Sequence, residues 1–480
     1  MTDILDLDAT AQLEALSNRR ISSEELLEAA VARADALDPK LNALAARDLD
    51  RARRRAQLLD EQRGRGEPPG RLAGLPLTIK DVLDVEFMPA SSGRRENLKR
   101  PASDAAVVGR IRSQGAVIWA KTNVAPNASD WQTFNAVYGR TNNPWNLERT
   151  PGGSSGGAAA AVATGITALE VGSDNAGSLR APASFCGVLS LQPTYGLAPQ
   201  RGHVPPEPGS LSEPDLNVIG PIARSVRDLR LMGSVITAGH IAAEGRPAPL
   251  VGLKVGLWLE EPSFFLDPAV KQVLEGFARG LQGEGAEVTP VHGPVAGDAL
   301  LEIYVWLLYS LPSGDGAPGA LTRLKNEALR PWAKLARKGG LSPQSWAGCT
   351  LAATARHQEW LRADEARAGF RRTLQSWFEK RDVLIAPAAP VPAFPHDTRK
   401  RSKRRLKTSD GRSAPYEAMM HWSALSTVCG LPAVTLPAGS IDGLPVGVQL
   451  IGPRDGDSRL LTIAQAIEES LGGYRPPPPF

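Results

Sequence analysis

Two textures alternate along the chain. Near the N-terminus apolar residues recur at helical spacing: Leu26, Leu27, Ala30 and Val31 follow a Ser22 and Glu25 pair that reads as a capping box, which predicts a helical scaffold over residues 1–65. Beyond it, short apolar runs ending in polar residues alternate with helical stretches, the pattern of a sheet with helices on both faces. Leu75 to Ile79 is one such strand, and it delivers Lys80 at its end. Asp104 is placed as the cap of a short helix that stops at Gly115, and apolar Ala116 to Ala120 then leads into Lys121.

Later, Gly252 to Leu259 reads as a strand, Asp267-Pro268 opens a helix with Val270, Val273, Leu274, Phe277 and Leu281 on one face, and Ala286 to Val291 is the next strand. Residues 300–378 are helical throughout and hold five of the ten tryptophans, which marks an insertion or cap layer whose aromatics serve packing. Val446 to Ile451 is a strand, and Asp457 is read as the cap of an amphipathic helix with Leu460, Leu461, Ala464 and Ile467. There is no repeat and no linker, so residues 1–480 are expected to form one α/β domain: a central twisted mixed sheet covered by helices, with a catalytic core over 66–230 and the C-terminal part of the sheet in 379–480.

Composition narrows the functional classes. Hydrophobic residues make up 42% and charged residues 22% of the 480, in the range of folded globular chains. The net charge of +4 is too small for a nucleic-acid-binding field. The excess is local: seven of the nine residues from Arg399 to Lys407 are basic, a run read as a solvated, mobile loop. Three cysteines without CxxC spacing support neither disulfides nor zinc. With an acidic N-terminus and no spanning apolar stretch, the expected address is the cytoplasm, without membrane or nucleic-acid partners.

Chemistry concentrates in two glycine-dense loops. Thr150-Pro151-Gly152-Gly153-Ser154-Ser155-Gly156-Gly157 precedes an alanine-rich run, so it is not a flexible linker, and it lacks the lysine of a phosphate cradle. The second, Gly172-Ser173-Asp174-Asn175-Ala176-Gly177-Ser178-Leu179-Arg180, reads as strand, tight loop and helix start, where backbone N–H groups are unpaired. Each loop alone would be structural, Ser178 being an ordinary helix cap. The six histidines are scattered and read as surface or packing residues, with His421 and Trp422 as weak candidates for substrate contact.

Together with Leu75-Pro76-Leu77-Thr78-Ile79-Lys80-Asp81, these loops resemble the amidase signature family of hydrolases. Cys186-Gly187, Pro193-Thr194-Tyr195-Gly196, Asn142-Asn143-Pro144-Trp145 and the segment Gly443 to Gln449 extend the resemblance over nearly the whole chain. It implies Ser178 as nucleophile, Ser154, after a cis peptide bond, as proton relay, and Lys80 as base, which requires a buried, neutral lysine. It further implies an oxyanion hole from the backbone N–H groups of Asn175, Ala176, Gly177 and Ser178, with Ser155, Asp174 and Arg180 organising the loop. Ala176 departs from a usual glycine, and Gln192 from a usual lysine.

The expected activity is cleavage of a carboxamide, and of esters or carbamates, through an acyl-enzyme, with no cofactor and no metal. The partner is a small-molecule amide and the protein a monomer or homodimer. Nylon-oligomer and urethane-cleaving enzymes, aryl-acylamidases and fatty-amide hydrolases are all similar. Two alternatives stand beside it: the glutaminase subunit of a tRNA-dependent amidotransferase, against which the segment from Gly202 to Asp215 speaks, and a catalytically silent binding protein, against which the retained serines and lysine speak and which Ala176 alone keeps open.

Overall fold

A computed structural model describes residues 3–98, 103–205, 209–311 and 320–480. Its centre is an eleven-stranded sheet, with strands β1 (Leu44–Arg47), β2 (Pro76–Lys80), β3 (Val117–Thr122), β4 (Leu169–Asp174), β5 (Leu189–Gln192), β6 (Val218–Ala223), β7 (Lys254–Leu257), β8 (Glu287–Pro290), β9 (Val383–Pro387), β10 (Ala433–Ile441) and β11 (Leu444–Ile451). The spatial order is β1-β3-β2-β4-β6-β5-β10-β11-β9-β7-β8. Parallel pairing holds β3, β2 and β4 together at one end and β9, β7 and β8 at the other. The strands between pair antiparallel, as does β1 with β3, so the sheet is mixed as expected.

β2, β3, β4, β6 and β9 are buried along their whole length, because helices cover both faces and neither face alternates with water. Chemistry at the strand ends is thereby placed in a dry interior. The predicted strands are all present within a few residues of their expected bounds. β3 runs through Lys121 rather than stopping before it.

Other readings need correction. The N-terminal region is helical over Ala9–Ser17, Ser23–Leu41 and Leu49–Gly64, with the Ser22 and Glu25 capping box formed, but residues 44–47 leave it to become the sheet's edge strand. Asp104 does not cap the helix Ala106–Ser113; its carboxylate is held by Arg112 and the Glu86 N–H. Asp457 lies inside the first turn of the helix Asp457–Leu471 and accepts from the backbone and hydroxyl of Thr194 at 2.9 and 2.6 Å. In both cases a distant donor outcompetes the local one.

The Trp-rich segment is helical over Gly297–Ser310, Ala320–Lys338, Trp346–Ala353 and His357–Phe378. Its aromatics are not all packing residues, since Trp332 and Trp346 are 65% and 52% exposed. The basic run is solvated only in part: Arg399, Lys400, Lys403, Arg405 and Lys407 are exposed, but the segment is tied down. Arg405–Lys407 pairs with Ser413–Pro415, Arg404 is buried against Asp130 at 2.6 Å, and Arg401 lies over the Trp131 ring at 4.4 Å.

Candidate active site

Lys80 ends β2 beside β4, which runs on past it to Asp174, and the side chain is 0% exposed. Its Nζ lies 2.8 Å from Ser154 Oγ, 3.0 Å from Ser173 Oγ and 3.3 Å from the Ser173 carbonyl oxygen. None of these neighbours is charged. Burial therefore lowers the Lys80 pKa to about 7, against the upward pull of the Asp174 and Glu170 carboxyls further off. A lysine in this state has its neutral form well populated at neutral pH.

Ser154 reaches that position from the first glycine-dense loop. Gly153 passes so close to the backbone of Asp130 to Gln132 that a Cβ would lie 2.5 Å from the Asp130 carbonyl oxygen, so only glycine fits. The Gly153–Ser154 peptide bond is cis. Ser155 then precedes the fully buried helix Gly156–Ala163, and its N–H donates to the Ser178 carbonyl at 3.3 Å, joining the two loops. Among the described residues no hydrogen bond links the Ser178 hydroxyl to that of Ser154; a catalytic contact of this kind often closes only around substrate.

The second loop is organised by one carboxylate. Asp174, at the end of β4, accepts from the N–H groups of Gly177 at 2.7 Å and Leu179 at 2.9 Å, and from Arg180 Nη2 at 2.9 Å. Burial alone would raise the Asp174 pKa, but Arg180 and these amides outweigh it and hold the carboxyl below its ordinary value. Arg180 is itself buried and donates onward to Ser426, Thr427 and Gln449, which ties the loop to β11 and the helix Ala424–Cys429. Such a charge pair, fully hydrogen-bonded, fixes a loop in one conformation.

The Gly177 N–H is thus committed to Asp174, which removes it from the expected oxyanion hole. Those of Asn175, Ala176 and Ser178 donate to no protein group among the described residues. Gly177 carries the left-handed angle of the turn at φ +90°, whereas Ala176 keeps an ordinary one, so the alanine is accommodated without strain. Two side chains fix the peptide planes: Tyr304 Oη donates to the Asn175 carbonyl at 2.6 Å and Trp131 Nε1 to the Ala176 carbonyl at 2.7 Å.

Neither Tyr304 nor Trp131 was singled out by the sequence, and neither were Asp81, Lys121, Glu170 or His203. Lys121 and Asp81 form an ion pair at 2.8 Å with both side chains fully buried. Glu170, between Thr78 and Thr122, has its pKa raised by burial to about 8. His203 is 5% exposed and sits 2.9 Å from Ser173 Oγ, so it is not a surface residue. Signals existed for three of them: Asp81 closes the Leu75 to Asp81 segment, Lys121 follows the strand read at Ala116 to Ala120, and His203 lies in Gly202-His203-Val204-Pro205. His421 and Trp422 are instead occupied by the fold: His421 accepts from the Phe265 N–H and faces Gln344, while Trp422 donates to the Phe265 carbonyl.

A buried amine, two serines on adjoining loops and free backbone donors at a strand end form a site suited to acyl transfer. Comparison with known proteins agrees with that class. The sequence pattern of the family described as Amidase matches residues 25–461, and the chain belongs to this family of enzymes that hydrolyse carbon–nitrogen amide bonds. Over 496 residues it is 33% identical to a glutamyl-tRNA(Gln) amidotransferase subunit of Synechococcus sp. (strain CC9605), covering 98% of this chain and 97% of that one. A crystal structure of an amidase superposes with a TM-score of 0.78 at 30% identity, over 97% of this chain and 100% of that one. A bacterial aryl acylamidase of the amidase signature family gives 0.78 at 25% identity, over 97% and 96%.

Proposed function

We propose that this protein hydrolyses amides through an acyl-enzyme on Ser178, with Ser154 as relay and Lys80 as base. The observation that carries the reading is the 2.8 Å contact between a fully buried Lys80 Nζ, its pKa about 7, and Ser154 Oγ. Ser178 Oγ bonds to the acyl carbon while its proton passes to Ser154 and that of Ser154 to Lys80. The carbonyl electron pair moves to oxygen, facing the N–H groups of Asn175, Ala176 and Ser178. On collapse the carbon–nitrogen bond breaks and the leaving amine takes a proton back along the same chain. Water then attacks the ester on Ser178 by the same route. Esters and carbamates present the same carbonyl.

The substrate on this reading is a free small-molecule amide. A second reading makes the chain the glutaminase component of a tRNA-dependent amidotransferase, and the name of the Synechococcus relative speaks for it more directly than any relative's name speaks for a particular small amide. On this reading Arg401, which lies over the Trp131 ring and pairs with Glu417 at 3.4 Å, would be the charge offered to a free amino acid's carboxylate. Ammonia release from glutamine, measured with and without partner proteins of such a complex, against a panel of acyl amides, anilides and carbamates, separates the two. Turnover of the panel without partners supports the first reading. Glutaminase activity that appears only with partners overturns it in favour of the second. Fluorophosphonate labelling that survives Ser178→Ala would sink the proposed nucleophile under either.

A further inference from the structure

The direction in which Lys80 presents its lone pair follows from a residue outside the three catalytic segments. His203 comes after the turn at Gly202 and is buried, with Nδ1 2.6 Å from the Pro205 carbonyl oxygen and Nε2 2.9 Å from Ser173 Oγ. A carbonyl oxygen only accepts, so Nδ1 bears a hydrogen. Burial, with Lys80 adding to it, pushes the ring's pKa down to about 4, so the ring is neutral and Nε2 offers a lone pair. The Ser173 hydroxyl must therefore donate to Nε2, and toward Lys80 it can only accept.

Around Lys80 Nζ stand three neighbours, the Ser173 hydroxyl, the Ser173 carbonyl and the Ser154 hydroxyl. A neutral amine has two hydrogens and one lone pair. The first two neighbours are acceptors and take the hydrogens. The lone pair is left for the third, whose hydroxyl hydrogen is the one to be removed.

We propose that His203 is a positioning residue for catalysis: acting through the Ser173 hydroxyl, it fixes the hydrogens of Lys80 so that the lone pair faces Ser154. His203 neither gains nor loses a proton in this role. Without it the Ser173 hydroxyl is free to turn and donate to Lys80, occupying the lone pair that the relay needs. The inference rests on the assignment of Lys80, Ser154 and Ser178 made above.

A fluorophosphonate probe tests it on the full chain, since the probe reads nucleophile reactivity without a known substrate. His203→Phe should lower the maximal inactivation rate about 100-fold, the scale of a disabled general base, with the half-saturating probe concentration unchanged. His203→Gln, whose amide oxygen can accept from Ser173, should recover most of that loss. Should His203→Phe not fold, the smaller His203→Leu, which likewise cannot accept from the Ser173 hydroxyl, should show the same fall. An unchanged rate in the variant used, or equal losses in the Phe and Gln variants, overturns the proposal. A folded wild-type chain that the probe leaves unlabelled overturns it by a different route, through the nucleophile assignment itself.

Discussion

Lys80 and Lys121 are both fully buried lysines, on neighbouring strands β2 and β3, with Lys121 in register with Ile79 beside Lys80. Lys121 faces the Asp81 carboxylate at 2.8 Å and the Pro89 carbonyl at 3.0 Å, so its charge is answered where it stands. Lys80 faces two serines and a carbonyl, and burial drives it toward the neutral amine. What separates an ion of the framework from a base is the single carboxylate beside it. Burial is the same for both, and their strands are neighbours.

The strongest way to break this comparison is to disable the base. Lys80→Met should lower turnover of any amide the wild type hydrolyses by at least about 1,000-fold, as should Ser178→Ala, because neither partner of an activated nucleophile works alone. Lys121→Met, by contrast, is expected to act on stability. Asp81→Asn should cost about 3–5 kcal/mol by leaving a buried ammonium without its counter-charge, read as a lower urea midpoint. A midpoint unchanged within error would mean that the two lysines do not differ as described.

The pH profile sharpens the same contrast. Lys80 acts as base only when neutral, so kcat/KM should rise about tenfold per pH unit below about 7 and level off above it. A limb centred near pH ~10 would mark a lysine that is charged in the resting site. A smaller effect is expected from Tyr304→Phe, which removes one hydrogen bond to the Asn175 carbonyl and should lower kcat about fivefold, about 1 kcal/mol, without moving that midpoint. Smallest is Ala176→Gly: turnover should stay within about twofold, with a loss of about 0.5–1 kcal/mol in thermal stability from the freer unfolded chain.

Much of this site was legible in the sequence because backbone constraints leave local marks. Gly153 and Gly177 are there since no Cβ fits or no other residue takes the angle, and the run from Leu75 to Lys80 announces a buried strand with a polar end. The parts that escaped are joined through space. Tyr304 is 129 positions from the carbonyl it holds, and Trp131 is 45 from its own. An Asp-Lys pair separated by a strand crossover has no spacing rule, and Arg404 reached Asp130 across 274 positions, which no charge count on the basic run could anticipate. The alternation of apolar and polar residues located the strands well, and misjudged caps wherever a remote donor, such as Thr194 for Asp457, offered a better partner.

The edge strand drawn from the N-terminal region has a practical consequence. Residues 44–47 occupy the outer side of β3, and the Ala43 carbonyl accepts from Asn123 just beyond it. A chain trimmed at about residue 48, where a helical appendage would seem dispensable, would uncover a row of unsatisfied peptide groups on the strand next to the base, open to recruitment by a second molecule. Such a truncated protein should aggregate rather than merely lose a decoration.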